Sequence, residues 1–234
     1  MSRINNIFGS LSSGIIPTDI ANLQLWLDAS DLDGSSFLSS WVEKSPNAYN
    51  FQQATGSKQP QSFGSGFGTQ NKPYVKFLSP DNMTLATNTN IELGVMTMFF
   101  ALRIDFYGTA GGIIDKWVNT PEGYTVLMHS TTKKPRISTG ATTLISTVVA
   151  DVAPILVTVK INGASSFMEV NGTRTTGTLN LTPTSTQSLF LGGDGVSTLY
   201  NDWSLAEYIM YKSALTDEQV TQVSSYLNNK YGIY

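Results

Sequence analysis

Most apolar segments of this chain are short, alternate with polar residues and are fenced by turn-forming pairs, the pattern of antiparallel β-sheet. Leu23-Gln24-Leu25-Trp26-Leu27 alternates in this way. Ile155, Val157, Val159 and Ile161 share one face of a strand, with Thr158 and Lys160 on the other. Asn162-Gly163 follows directly, and Phe167-Met168-Glu169-Val170 runs into Asn171-Gly172. Asn-Gly pairs accept the positive φ angles that tight hairpins need. Val75 and Phe77, then Met83 and Leu85, bracket the turn-forming Ser79-Pro80-Asp81-Asn82. The run from Val95 to Leu102 is apolar on nearly both faces, which predicts a central strand buried on two sides.

One segment breaks this pattern. Leu215-Thr216-Asp217-Glu218-Gln219-Val220 supplies Thr at an N-cap, Gln three residues on and Leu215 to staple against Val220, so a helix is expected over 216–231. Asp217 and Glu218 suit its positive end, and Val220, Val223, Leu227 and Tyr231 form one apolar stripe. Gly232 ends it.

Charged residues make up only 13% of the chain, against about 25% in an average domain. The surface is therefore coated with Ser, Thr, Asn, Gln and Gly. The balance of 14 basic and 17 acidic residues, with no basic run, argues against a nucleic-acid partner. With no cysteine, disulfides, thiolate metal sites and Cys nucleophiles are excluded. No apolar run reaches the length of a membrane span, and Gly, Ser and Asn interrupt the N-terminus too often for a signal peptide, so synthesis in a cytoplasm without membrane insertion is expected. The 234 residues show no linker, repeat or second composition regime, and read as one domain over 21–234 preceded by an arm over 1–20.

Several segments taken together resemble a known superfamily. They are Leu23-Gln24-Leu25-Trp26-Leu27-Asp28-Ala29-Ser30-Asp31, Trp41-Val42-Glu43-Lys44-Ser45-Pro46-Asn47, Lys72-Pro73-Tyr74-Val75-Lys76-Phe77, Phe190-Leu191-Gly192-Gly193, and the stretch from Leu205-Ala206-Glu207-Tyr208 to Lys230-Tyr231-Gly232-Ile233. Their order is similar to that in the concanavalin A-like lectin/glucanase superfamily, and more narrowly in its laminin-G-like modules. The resemblance implies an all-β fold, an antiparallel jelly-roll β-sandwich with one C-terminal α-helix packed on its edge. It also implies a choice among lectins, glycan-binding modules, glycosidases and adhesion modules of the kind found in bacteriophage structural proteins, because fold alone does not select a function.

The residues narrow that choice. The glucanase branch carries two Glu and an Asp at alternate positions of one strand, and no strand here has that cluster. His129 is the only histidine, so a site using two imidazoles is excluded. The runs Gly64-Ser65-Gly66, Gly111-Gly112 and Gly192-Gly193-Asp194-Gly195 lack the phosphate-cradling context and read as turns. A non-enzymatic protein without a cofactor is expected. Asp28, Asp31 and Asp33 are candidate calcium ligands, although Ala29 and Ser40 stand where an EF-hand loop needs its first ligand and closing Glu. Trp117, Tyr124, Tyr200 and Trp203 are the candidates for stacking on sugars, whereas Trp26 and Trp41 read as core. In the arm, Ile4, Ile7, Phe8, Leu11, Ile15 and Ile16 are candidate anchors to a partner. The leading expectation is a capsid decoration, head-fibre or tail-associated module on a phage virion surface, anchored through the arm to other virion proteins and associating with its own copies. The alternative is a carbohydrate-binding, lectin-like module that meets host-surface or environmental glycans.

Overall fold

The computed structural model describes residues 14–86, 91, 93–108, 111–117, 122–140, 142–183, 187–193 and 201–234. In chain order the strands are β1 (Leu23–Asp28), β2 (Ser40–Trp41), β3 (Phe51–Gln52), β4 (Gln61–Phe67), β5 (Lys72–Phe77), β6 (Met83–Leu85), β7 (Met96–Phe106) and β8 (Gly111–Trp117). There follow β9 (Gly123–Met128), β10 (Pro135–Thr139), β11 (Thr142–Ile145), β12 (Ile155–Ile161), β13 (Gly163–Val170), β14 (Thr173–Leu179), β15 (Leu189–Leu191), β16 (Asp202–Tyr211) and the helix α1 (Asp217–Tyr231). Short 3-10 turns at Pro17–Asp19, Ala29–Asp31 and Gly56–Lys58, not expected from the hydrophobic pattern, join them.

The strands form two antiparallel sheets of eight. The first runs β14-β13-β12-β7-β16-β5-β4, with β1 also paired to β16; the second runs β11-β10-β9-β8-β15-β6-β3-β2. This is the expected all-β sandwich. The strands β5 and β6, which bracket Ser79-Pro80-Asp81-Asn82, belong to different sheets, so that segment crosses the sandwich instead of closing a hairpin. At Asn171-Gly172 both residues do take positive φ, 49° and 78°, and β13 pairs with β14 across them. Gly64 to Gly66 and Gly111-Gly112, expected as turns, lie inside β4 and β8. Each coincides with a register irregularity, where a missing side chain lets the strand bend or another backbone approach.

The two sheets enclose the main core, which includes Trp41, Phe51, Phe77, Phe100, Trp203 and Tyr208. A second core lies on the outer side of the first sheet under α1, joining Trp26, Phe99, Ala101, Phe167 and Ile209 to Val220, Val223, Leu227 and Tyr231. The central strand β7 alternates between the two, with Met98, Phe100 and Leu102 in one and Phe99 and Ala101 in the other. That double burial is why its sequence is apolar on both faces.

The helix starts as its sequence predicts. The Thr216 hydroxyl accepts from the Gln219 N–H at 3.2 Å, the Gln219 side chain accepts from the Thr216 N–H at 3.0 Å, and Gly232 closes the far end at φ 61°. Loss of this cap in Thr216→Ala is expected to cost about 1 kcal/mol, read as a shift of the urea midpoint without a change of slope. The packing begins before residue 21: Pro17 and Ile20 are buried, and the Tyr211 hydroxyl donates to the Pro17 carbonyl at 2.9 Å. Ile15 packs against the second core and Ile16 is exposed, while Ile4, Ile7, Phe8 and Leu11 lie outside the described residues.

Candidate functional site

The first sheet is covered by α1, so the outward residues of the second sheet form the open face of the sandwich. Each of its strands alternates a core residue with an outward one, and the register lines the outward residues up. Ser40 pairs with Gln52, Gln52 with Thr84, Thr84 with Phe190, Phe190 with Asp115, Asp115 with Thr125, Thr125 with Ser138, and Ser138 with Thr143. This row crosses all eight strands, a span of about 34 Å at a strand spacing of about 4.8 Å. A second row places Gly112, Leu127, Arg136 and Ile145 side by side. The irregularity in β8 between Gly112 and Ile114 keeps Gly112 and Asp115 on the same face although they are three residues apart.

Two half-buried aromatic rings, Phe190 and Trp117, stand on this face beside hydroxyls, an amide and a carboxylate. Trp117 is positioned by the Asp115 carboxylate, which accepts from the Trp117 N–H at 2.7 Å, and by the Gln187 side chain, which donates to its carbonyl at 3.1 Å. Ser138, only 4% exposed, lies within 3.1 Å of the Thr143 hydroxyl and accepts from the Arg136 Nε at 3.1 Å, so it braces these two side chains and leaves them to face solvent. Such a surface offers donors, acceptors and apolar ring faces together. Asp115 is the only carboxylate in the strands of this sheet.

The other expected stacking residues sit elsewhere. Tyr124 and Trp203 are each 2% exposed because they fall on the inward positions of β9 and β16, and Trp203 stacks on Phe77 with ring centroids 4.6 Å apart. Neither offers a ring to solvent. Tyr200 lies outside the described residues. Trp26 and Trp41 are buried, as expected.

A pair of carboxylates that the sequence reading did not join occurs on the opposite side of the molecule. Asp28 and Glu207 are cross-strand partners in β1 and β16, both pointing under α1. Glu207 faces the helix because the register shift between Leu205 and Glu207 inserts Ala206, placing two consecutive residues on the same side. Its carboxylate, 0% exposed, accepts from Trp26 Nε1 at 2.6 Å, Lys230 Nζ at 2.7 Å, the Tyr231 hydroxyl at 2.7 Å and the Tyr226 hydroxyl at 3.0 Å. Burial and the neighbouring Asp28 push the Glu207 carboxyl above its ordinary range, against Lys230 and Tyr231. Burial acts the same way on Asp28, but Lys230, the Ser30 N–H and Lys44 outweigh it and hold that carboxyl low.

Asp28, considered as a calcium ligand, meets two ammonium groups, Lys230 at 2.7 Å and Lys44 at 3.1 Å; Asp31 shares Lys44 at 3.1 Å. Asp33 uses its main-chain carbonyl to accept from Ser62 and Ser36. Among the described residues no three His, Cys, Asp or Glu side chains are grouped as a metal site, and no helix is long and apolar enough to cross a membrane. The two carboxylates are buried and hydrogen-bonded, while Lys230, Lys44 and Asp31 at the margin of the network reach solvent, an arrangement that suits fastening of the helix and not acid–base chemistry on a substrate.

No protein-family model and no curated protein sequence matches the chain. Solved structures do. The binding domain of Paraclostridial Mosquitocidal Protein 1 is similar with a TM-score of 0.66 and 13% identity, covering 89% of this chain and 52% of that one. A Trypanosoma rangeli sialidase in complex with sialic acid is similar with a TM-score of 0.63 and 12% identity over 92% of this chain and 35% of that one. A structure of botulinum neurotoxin type C, described by the dependence of its cell entry on two ganglioside molecules, is similar with a TM-score of 0.55 and 12% identity, covering 88% of this chain and 51% of that one. The chain thus spans about a third of the sialidase and half of the toxin structures. These neighbours agree with the concanavalin A-like jelly-roll expectation at the level of the sandwich, and lend none to a laminin-G-like phage module or a virion role. At this identity the likeness is one of fold, shared by an enzyme and by toxin binding domains alike.

Proposed function

We propose that this protein is a non-catalytic, lectin-like carbohydrate-binding module whose ligand lies across the open face of the second sheet. The observation that carries this reading is the row from Ser40 to Thr143, in which hydroxyl, amide and carboxylate groups are set beside the rings of Phe190 and Trp117. An aromatic ring covers the C–H face of a sugar while its neighbours exchange hydrogen bonds with the sugar hydroxyls. Neighbours described with sialic acid and with gangliosides support the same reading. Glycoside hydrolysis by the usual route needs two carboxyl groups flanking the scissile bond, and among the described residues the strands of this sheet supply one, Asp115.

The test is glycan binding by the folded protein and by Trp117→Ala and Phe190→Ala, whose rings are half-buried and therefore contribute modestly to stability. Each substitution is expected to weaken binding about tenfold while the melting curve moves little. Absence of binding to every glycan on a broad array, or binding that ignores both substitutions, would overturn the site. Release of reducing ends above buffer would overturn the non-catalytic assignment.

A further inference from the structure

The described arginines are not treated alike by the fold. Arg103 is held by Asp105 at 2.7 Å and lies over the ring of Tyr74. Arg174 is held by Glu169 at 2.7 Å and Asp217 at 2.8 Å, and lies over Phe167. Arg136 has no ion-pair partner among the described residues. It stands on the open face between Leu127 and Ile145, and its Nε donates to Ser138, whose hydroxyl is in turn beside Thr143. A guanidinium half-buried between aliphatic side chains has lost part of its hydration, and a neutral hydroxyl repays only part of that loss. With Nε engaged along the strand, the two terminal nitrogens remain, and they can receive a carboxylate as a fork.

We propose that the open face selects an acidic sugar, a uronic or sialic acid residue, through pairing of its carboxylate with Arg136. The inference rests on the carbohydrate-binding reading and gives it a charge and a direction. Asp115 stands on the same face two strands away, since it pairs with Thr125, which pairs with Ser138. The two columns are about 10 Å apart. A carboxylate is attracted at Arg136 and repelled at Asp115, whereas a sugar hydroxyl can donate to Asp115. An acidic oligosaccharide therefore has one favoured polarity across the strands, with its acid at β10 and a neutral hydroxyl-bearing residue at β8.

The experiment uses a panel of oligogalacturonates and sialyl-oligosaccharides, each beside its own carboxyl methyl ester, titrated against the wild-type protein, Arg136→Gln and Arg136→Lys. The expected result is an acidic glycan that binds about tenfold or more tightly than its ester. Arg136→Gln should weaken the acid about tenfold more than it weakens the ester, so that the preference for the acid is lost. Arg136→Lys, which keeps the charge and loses the fork, should fall between. Equal affinity for acid and ester, or an Arg136→Gln variant that weakens both alike, overturns the role of Arg136 and leaves the carbohydrate reading standing. If no member of this panel binds but neutral glycans do, the acidic selection fails alone. If no glycan of either kind binds, the proposed function fails with it.

Discussion

Replacing Lys230 by Met should destabilise the protein by about 3–5 kcal/mol at neutral pH, the usual consequence of removing one partner from a buried ion pair. Lys230 is the cation shared by Asp28 and Glu207, whose side chains are 3% and 0% exposed. Met preserves the aliphatic stem, so lost packing contributes little. In the wild type the two carboxyls act in opposite senses. Asp28, held low, adds stability above its unfolded value that is lost as pH falls through its folded value. Glu207, pushed up, adds stability at low pH that is lost as pH rises through its folded value. Without Lys230 both carboxyls rise, because each loses the positive neighbour that favoured its charge. The variant should therefore recover relative to wild type on acidification, as both groups protonate. Urea unfolding of the two proteins at pH 7 and pH 4.5 checks this; an unchanged difference between the pH values would show that ion pairing is not what Lys230 contributes.

Leu227→Ala should cost about 2–5 kcal/mol, through lost transfer energy and the cavity left beneath the helix. Leu227 is fully buried, and with Val220, Val223 and Tyr231 it makes the helix half of a core whose other half is the outer side of β7, β12 and β16. For a chain of this length each kcal/mol moves the melting temperature by about 2–4 °C, so the variant should melt about 5–20 °C lower. A loss below about half a kcal/mol would mean the helix is an appendage. The Thr216→Ala effect should add to it almost fully, because the cap and Leu227 share no partner and lie three turns apart.

What could be read in advance was whatever depends on neighbours in the chain. The alternation of β12, the Asn171-Gly172 hairpin and the reciprocal cap of α1 all involve residues within a few positions of one another, and the structure repeats them. Glu207 shows the limit. Simple alternation along β16 would put it with Leu205 in the main core, and only the insertion of Ala206 against β7 turns it toward the helix. A bulge belongs to two strands, so one strand's pattern does not contain it. Tyr124 and Trp203 show a second limit: an aromatic side chain suits a sugar and a core equally well, and the inward or outward choice decides. The open row shows a third. Thr84 meets Phe190 and Phe190 meets Asp115 only once the strand order β8-β15-β6 is known, and that order joins segments far apart in the chain.

The placement of α1 and of residues 15–20 has a practical consequence for anyone who wishes to immobilise or fuse this molecule. Both segments pack on the outer side of the first sheet, where Ile15 meets the second core and Pro17 meets Tyr211. A tether joined at residue 14 or at Tyr234 therefore starts from the back of the sandwich, with the full thickness of two sheets between it and the row from Ser40 to Thr143. On a sensor chip or in a tandem fusion, either attachment holds the proposed binding face away from the support, and neither requires a loop of the second sheet to be cut.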